Sequence, residues 1–114
     1  MKEIENTDPV YVIVWEFRPK QGREREFETA YGPEGIWAAF FKKGKGHLGT
    51  VLHRDVDNAN RYMTIDYWTS QEAYESFQHE HQKEYQTIDR TMEALTEFEA
   101  LIGTFYNIPP STNP

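Results

Sequence analysis

The sequence contains no cysteine among its 114 residues. This absence excludes disulfide bonds, thiolate nucleophiles, cysteine-ligated zinc and iron–sulfur clusters. Basic residues are also scarce, because 12 Lys and Arg stand against 19 Asp and Glu and leave a formal net charge of −7. Proteins that bind a phosphate backbone usually carry a basic patch, so we expect no nucleic-acid partner.

Long apolar runs are missing as well. No run approaches the roughly 18 apolar residues that a membrane-spanning helix needs, and residues 1–8 lack the apolar core of a signal peptide. We therefore expect no contact with a membrane. Together with the lack of cysteine, these features predict a cytoplasmic protein.

The chain has room for one domain with one core. Aromatic residues make up 15% of it and fall in short, regularly spaced runs, which is typical of a packed interior rather than of disorder. We predict a folded domain over residues 10–108. Residues 1–9 are predicted to be a flexible leader and residues 109–114 a disordered tail, since prolines bound the domain at both ends.

Four segments rich in β-branched and aromatic residues are predicted strands, namely 10–17, 47–54, 62–68 and 100–108. Helices are predicted between the first and second strands and between the third and fourth. The resulting order is strand, helix, strand, strand, helix, strand. It predicts the split βαβ arrangement of a ferredoxin-like α+β fold, with helices on one face of a four-stranded antiparallel sheet.

The third strand is predicted to run through a capped turn directly into a helix. Thr69 or Ser70 is the predicted N-cap, and Glu72 completes the spacing of a capping box. No glycine or proline occurs in residues 71–102, so most of that span is predicted to be helical. The polar stretch 78–83 is the predicted bend or break.

The first predicted strand is apolar on both of its alternating faces. One face carries Tyr11, Ile13, Trp15 and Phe17, and the other carries Val10, Val12 and Val14. A strand with one wet face would alternate between apolar and polar residues, so both faces should be covered. Because the helices cover only one face of the sheet, we predict a homodimer in which a second copy covers the other.

Packing and turn residues along the chain resemble those of a known family. They are Gly22 and residues 31–37, 46–50, 61–62, 68–74 and 102–106. Over residues 10–108 the chain resembles the antibiotic-biosynthesis-monooxygenase type of dimeric α/β barrel. The resemblance implies a homodimer with a ligand-sized cavity between the helices and the sheet of each subunit. Relatives in that family include cofactor-free oxygenases of quinone-forming polyketides and of quinols, so the resemblance implies a similar activity here.

The haem-degrading enzymes of this superfamily fit the chain poorly. They are similar to one another in an Asn near the end of the first strand, a Trp in the second long helix and a haem-ligating His further along that helix. Here the first two positions correspond to Phe17 and Phe77, and no histidine follows His81. We therefore expect no haem and, from the resemblance to cofactor-free oxygenases, no other cofactor.

An oxygenase without metal or flavin takes its electrons from the substrate, so it needs a base that removes a proton from the substrate. His53, near the end of a strand, is the first candidate, and a solvated strand-end histidine is the alternative. Asp66 is the second candidate, because a lone carboxylate in an aromatic strand costs free energy unless it is paired. Asp66 either pairs with a cross-strand residue such as Arg54 or faces a pocket.

Aromatic side chains are the candidates for binding a small apolar-aromatic molecule. Trp37 and Trp68 would stack on it and donate N–H groups, or else they lie in the core. The remaining candidates are Trp15, Tyr67, Phe77 and Tyr106. Tyr106 and Glu16 are predicted to face either a cavity or the dimer interface.

The His79-Glu80-His81 cluster does not predict a metal site. Positions two apart on a helix point about 200° away from each other, and Lys83 stands where the second histidine of a zinc-protease motif belongs. His47 and His53 are predicted to share a face of their strand, but they lie about 20 Å apart at the usual rise. We expect no metal ion.

The sequence predicts, as a hypothesis, a cofactor-independent monooxygenase that acts on a small aromatic, quinol-type or polyketide-like substrate. Two alternatives remain. One is a non-catalytic module that binds a small molecule in an apolar pocket, with His53 and Asp66 pointing to water. The other is an isomerase or cyclase on the same fold, which needs the base but not oxygen.

Overall fold

The computed structural model describes residues 9–109, so the predicted leader and tail lie almost wholly outside the described residues. Within that range the strands are β1 (Tyr11–Pro19), β2 (His47–Arg54), β3 (Tyr62–Trp68) and β4 (Thr96–Tyr106). The helices are α1 (Glu24–Tyr31), α2 (Ile36–Phe41), α3 (Gln71–Glu80) and α4 (Gln82–Met92), and a 3₁₀ turn at Glu93–Leu95 precedes β4. None of these helices combines the length and the apolar character needed to cross a bilayer.

The four strands form one sheet in the order β2-β3-β1-β4, and every neighbouring pair is antiparallel. This order confirms the predicted ferredoxin-like α+β fold. Side chains alternate between the two faces of a strand, so Tyr11, Ile13 and Phe17 of β1 lie on one face. They join a core cluster with aromatic residues of the helices, which identifies this face as the inner one.

The outer face of the sheet is also apolar. Val12 and Val14 are 8% and 7% exposed in the single chain, and their register partners in β3 are Tyr67 and Ile65. In the edge strand β4, Phe98 and Phe105 lie on this face opposite Arg18 and Val12 and are 44% and 49% exposed, whereas Leu101, 51% exposed, lies opposite Trp15 of the inner face.

Helix α3 begins at Ser70, one of the two predicted caps. The Ser70 hydroxyl accepts a hydrogen bond from the backbone N–H of Ala73 at 3.0 Å, as an N-cap does. The backbone N–H of Thr69 instead donates to the carbonyl of Gly46 at 2.8 Å. Because Ala73 rather than Glu72 then occupies the third helical position, the predicted capping box does not form.

The boundary between α4 and β4 differs from the prediction. The predicted break in the helical span is confirmed at His81, where α3 ends and α4 begins. Strand β4, however, starts at Thr96, four residues before the predicted position, and ends at Tyr106, two residues early. Pairing with β1 sets the start, because Thr96 lies opposite Pro19 and the carbonyl of Leu95 accepts from the N–H of Lys20 at 2.9 Å.

A bulge in β2 corrects the predicted faces of its histidines. His47 pairs with Trp68 and Gly49 pairs with Tyr67, so Leu48 is left without a partner in the register. An extra residue inverts the alternation of side chains. His47 therefore lies on the inner face, beside Trp68 at 5.2 Å between ring centroids, whereas His53 lies on the outer face opposite Met63.

Candidate functional site

A narrow cavity of about 50 Å³ lies between the inner face of the sheet and the helices. Space of this size holds ordered water, and the aromatic residues that line it would contact the faces of a flat ligand. Six of the lining residues are aromatic: Trp15, Phe17, Tyr31, Trp37, Phe41 and Tyr85. The other five are polar or acidic: Thr50, Thr64, Asp66, Asp89 and Glu99.

The spacing of these residues along their elements explains why they meet. Trp15 and Phe17 are two apart in β1, as are Thr64 and Asp66 in β3, so each pair lies on one face of the sheet. On the helices, residues four apart lie on the same side. Trp37 and Phe41 in α2, and Tyr85 and Asp89 in α4, follow this spacing.

The aromatic wall is built of interlocking rings. Trp37 stacks on Phe41 with 5.8 Å between ring centroids and 23° between planes, and it lies 5.3 Å from Tyr85. On the other side, Phe17 lies 4.8 Å from Tyr31. Such pairs hold their rings in fixed positions, so the cavity has rigid aromatic walls.

Asp66 is a nearly buried carboxylate at the cavity, with 7% of the residue exposed. The hydroxyl of Thr50, its register partner in β2, donates to Asp66 Oδ1 at 2.5 Å. Burial raises the pKa of Asp66 to about 6, against the smaller opposing effect of the Thr50 hydrogen bond. A carboxylate with such a pKa exchanges protons near neutral pH.

His47 extends this hydrogen-bonded chain away from the cavity. Its Nε2 lies 3.0 Å from the Thr50 hydroxyl oxygen. Because that hydroxyl donates to Asp66, its oxygen is free to accept from the imidazole when Nε2 carries the hydrogen. Burial lowers the pKa of His47, which favours the neutral ring. The three side chains thus connect the cavity to a half-buried imidazole.

Asp89 and Glu99 add two further carboxylates to the lining. Asp89 is half-buried and Glu99 is exposed, so both lie nearer to solvent than Asp66 does. Burial raises the pKa of each, and neighbouring carboxylates raise it further, with Glu93 acting on both and Asp89 on Glu99. The lining therefore carries clustered negative charge.

The cavity also offers hydrogen-bond donors. Burial raises the pKa of the Tyr31 and Tyr85 phenols, so both keep their hydrogens at neutral pH. Burial dominates the pKa of Tyr31, and a hydrogen bond with the indole N–H of Trp37, a neighbour with 6.2 Å between ring centroids, opposes that effect.

The structure brings three of the predicted site residues together at this cavity: Asp66, Trp37 and Trp15. Trp68 and Phe77 lie in the core cluster behind it, 5.3 Å apart between ring centroids. Tyr67 alternates with Asp66 and lies on the outer face. Tyr106 lies at the sheet edge, where its hydroxyl donates to Gln71 Oε1 at 3.2 Å.

The remaining polar candidates lie away from the cavity. His53 is exposed and borders a shallow outer cleft. Arg54 does not pair with Asp66, because its guanidinium lies 4.0 Å from Glu28. The side chain of Glu16 is largely buried and accepts a hydrogen bond from Arg61 at 3.0 Å. Within the described residues, no group of three or more His, Asp and Glu is arranged to hold a metal ion.

Sequence reasoning missed several of the residues at the cavity, above all Thr50, Asp89 and Glu99. Thr50 could have been found by pairing β2 with β3 across the intervening loop, because that register places it opposite Asp66. Asp89 could have been found because it follows Tyr85 by four positions on a predicted helix, which places both on the same side. Glu99 had no such signal, because its position depends on where β4 begins and on the register shift opposite Val14 and Trp15.

Comparisons with known proteins identify the class to which this fold and cavity belong. Residues 10–88 match the model of a family described as antibiotic biosynthesis monooxygenase. The chain belongs to the antibiotic biosynthesis monooxygenase family. A search among curated proteins found no match.

Solved structures of similar fold include SnoaB, a cofactor-independent oxygenase from Streptomyces nogalater. It is 24% identical, with a TM-score of 0.72, and the match covers 92% of this chain and 99% of SnoaB. A protein from Pseudomonas aeruginosa is 19% identical with a TM-score of 0.63, covering 93% of this chain and 100% of that one. At these identities the similarity supports the fold.

Proposed function

We propose that the protein is a cofactor-independent monooxygenase that oxidises a small, electron-rich aromatic substrate in the cavity between the sheet and the helices. Membership of the monooxygenase family supports the reaction class. The observation that carries the proposal is Asp66, a nearly buried carboxylate that lines an aromatic cavity. SnoaB is described as a cofactor-independent oxygenase, which supports the same reaction for this chain.

In this proposal Asp66 is the general base. It removes the proton of a phenol or enol, and the resulting anion passes one electron to dioxygen. The substrate radical and superoxide then combine to form a carbon–oxygen bond. The peroxide oxygen takes back the proton held by Asp66, and loss of water from the hydroperoxide turns the C–H carbon that bound oxygen into a carbonyl, so one oxygen atom enters the product and the other leaves as water. Thr50 holds the carboxylate in place and His47 lies behind it.

Asp66 is a better candidate for the base than His53. A base must lie within hydrogen-bonding reach of the proton that it removes, and His53 is exposed on the opposite face of the sheet. The aromatic walls around Asp66 exclude water and hold a flat ring. In this arrangement Trp37 and Trp15 are the substrate-binding residues, and Trp68 and Phe77 support them from the core.

The cavity lining also bears on the two alternatives. A non-catalytic binding module would have an apolar pocket with Asp66 turned to water, and the three carboxylates of the lining favour a chemical role instead. An isomerase or cyclase would use the same base without oxygen. Running the reaction under nitrogen separates that alternative, because only a monooxygenase would then stop.

We further propose that two copies pair through the outer face of the sheet. Phe98 and Phe105 support this, because they lie opposite Arg18 and Val12 of the outer face and are 44% and 49% exposed, and a monomer rarely leaves such a patch open to water. Sedimentation at micromolar concentration tests the proposal. A single species of twice the mass of 13.5 kDa is expected. A monomer at that concentration would contradict it.

The enzymatic proposal is tested by oxygen uptake with a panel of hydroquinones and anthrones. We expect protein-dependent uptake with at least one compound. In Asp66→Asn, which keeps the shape of the side chain but removes the base, kcat/KM should fall by about 10² to 10⁴-fold. Asp57→Asn, in the exposed loop between β2 and β3, is the matched control and should keep full activity. Equal activity of both variants would refute the role of Asp66.

A further inference from the structure

The bulge in β2 places a histidine behind the cavity that has no assigned part in the proposed reaction. His47 and Thr50 are three residues apart, and side chains at that spacing in a regular strand point to opposite faces. The extra residue Leu48 removes this difference, and the register places His47 opposite Trp68. Thr50 lies opposite Asp66, which is two residues from Trp68 and on the same face of β3. His47 and Thr50 therefore both lie on the inner face.

The hydroxyl of Thr50 has one hydrogen and two possible acceptors. Its oxygen lies 2.5 Å from Asp66 Oδ1 and 3.0 Å from His47 Nε2. A hydrogen bond to an ionised carboxylate is roughly twice as strong as one between neutral groups, so the hydrogen points to Asp66 when that group is ionised. The Thr50 oxygen then can only accept from the imidazole, and His47 donates from Nε2.

Aromatic neighbours hold the imidazole of His47 in place. Its ring centroid lies 5.2 Å from that of Trp68 and 5.8 Å from that of Phe41, and both of these residues are buried. Such ring pairs restrict the position of each ring. The Nε2 donor is therefore fixed on one side of the Thr50 hydroxyl, which leaves the hydroxyl hydrogen to point to the other side.

We propose that His47 is a positioning residue for Asp66: its imidazole donates from Nε2 to the Thr50 oxygen and so directs the single hydroxyl hydrogen towards the carboxylate. This inference deepens the proposed oxygenase function, on which it rests, because it assigns a role to a residue that does not line the cavity. A directed hydrogen bond stabilises the ionised carboxylate, which is the form that removes a proton. Without His47 the hydroxyl would turn to other acceptors for part of the time.

The groups that face Asp66 bear on its titration. Its register partner in β1 is Ile13, which carries no charge. Burial, followed by the charges of neighbours that include Asp66, raises the pKa values of Tyr74 in α3 and Tyr85 in α4. The other carboxylates of the cavity are those of Asp89 in α4 and Glu99 in β4. None of these groups changes in the variants that test the role of His47.

The groups that face His47 bear on its own titration. Burial lowers the pKa of His47, a backbone hydrogen bond at Gly49 opposes this, and the charge of Lys42 lowers the pKa further. The imidazolium and the neutral ring with its hydrogen on Nε2 both donate from Nε2. Titration of His47 therefore leaves the direction of the Thr50 hydrogen unchanged.

Carbon NMR of the side-chain carboxyl measures the Asp66 pKa without turnover, and Asp66→Asn identifies the resonance because it disappears. We expect His47→Phe, which keeps an aromatic ring but removes the donor, to raise this pKa by about half a unit. His47→Gln keeps an N–H near the position of Nε2 and should leave the pKa close to its wild-type value. His53→Phe is the matched control, because His53 is exposed on the outer face of the same strand. It should leave the pKa unchanged.

A double variant shows whether the effect passes through Thr50. Thr50→Val removes the hydroxyl and should raise the Asp66 pKa by more than His47→Phe does. Added to Thr50→Val, His47→Phe should raise it no further, because no hydroxyl is left to direct. Additive changes would mean that His47 acts on Asp66 by another route and would overturn the positioning role.

Nitrogen NMR of the wild-type imidazole, identified by its proximity to the Trp68 ring, tests the same inference without a variant. Above the pKa of His47 the ring hydrogen should lie on Nε2, and a hydrogen on Nδ1 would overturn the inference. An unchanged Asp66 pKa in His47→Phe would also overturn it. If the pKa changes as expected but no compound supports oxygen uptake, the positioning role stands and the oxygenase proposal fails.

Discussion

Replacing Asp66 by Asn should change how the stability of the protein depends on pH. Burial raises the pKa of Asp66 from its ordinary value of 3.8 to about 6, so between these values the folded state holds a proton that the unfolded state has released. A shift of one pKa unit corresponds to 1.36 kcal/mol. The shift of Asp66 therefore corresponds to about 3 kcal/mol of folding free energy.

The sign follows from proton binding. Because the folded state binds the extra proton, the contribution of Asp66 to stability falls as the pH rises from about 4 to about 6, and then stays constant. The asparagine of the variant cannot ionise and makes no such contribution. The difference in unfolding free energy, Asp66→Asn minus wild type, should thus grow by about 3 kcal/mol between pH 4 and pH 7 in favour of the variant.

Urea denaturation at a series of pH values measures this difference. Other carboxylates that titrate in the same range, including Asp89 and Glu99, are present in both proteins and cancel. The exposed Asp57→Asn change is the control for the loss of one carboxylate at the surface. A pH-independent difference for Asp66→Asn would refute the assignment of a buried, ionisable carboxylate at the cavity.

Three further substitutions test separate parts of the structure. In the native protein the Thr50 hydroxyl donates to Asp66 and lowers the Asp66 pKa. Thr50→Val removes this hydroxyl, so the limb of the pH–rate profile that rises with ionisation of Asp66 should move up by about one pH unit. An unmoved limb would contradict this. Ser70→Ala should lower the unfolding free energy by about 1 kcal/mol, because the N-cap of α3 is lost. Ser76→Ala, at an exposed position of the same helix, is the control and should lower it less. Equal losses in urea denaturation would argue against the cap. Gly35→Ala would place Cβ 2.2 Å from two backbone carbonyl oxygens and should cost about 3 kcal/mol, so unchanged stability would show that this chain path is wrong.

The strands and their order were predictable because local signals agreed with one another. The loop at 55–60 set the pairing of β2 with β3, and the abrupt change of pattern at Ser70 marked the start of a helix. Asp66 was identified as a site candidate for a physical reason, since a single carboxylate in an aromatic strand must either find a partner or face a cavity. The structure provides both, with Thr50 as the hydrogen-bond partner.

The faces of individual side chains were less predictable because they depend on bulges. Simple alternation would put His47 and His53 on the same face of β2, but the unpaired residue Leu48 puts them on opposite faces. A second register shift, opposite Val14 and Trp15, decides which face of the sheet is taken by the β4 residues that precede it, including Glu99. Such shifts arise from pairing with a distant strand, so neither composition nor periodicity reveals them.

We propose that Asp66 is the base that starts oxygenation of an aromatic substrate in this cavity. The most direct measurement is single-turnover incorporation of isotopically labelled dioxygen by wild type and Asp66→Asn, with a phenol or hydroquinone that supports oxygen uptake. Wild type should place one labelled atom in the product and one in water, and the variant should react about 10² to 10⁴-fold more slowly. Unlabelled product, or equal rates for the two proteins, would contradict it.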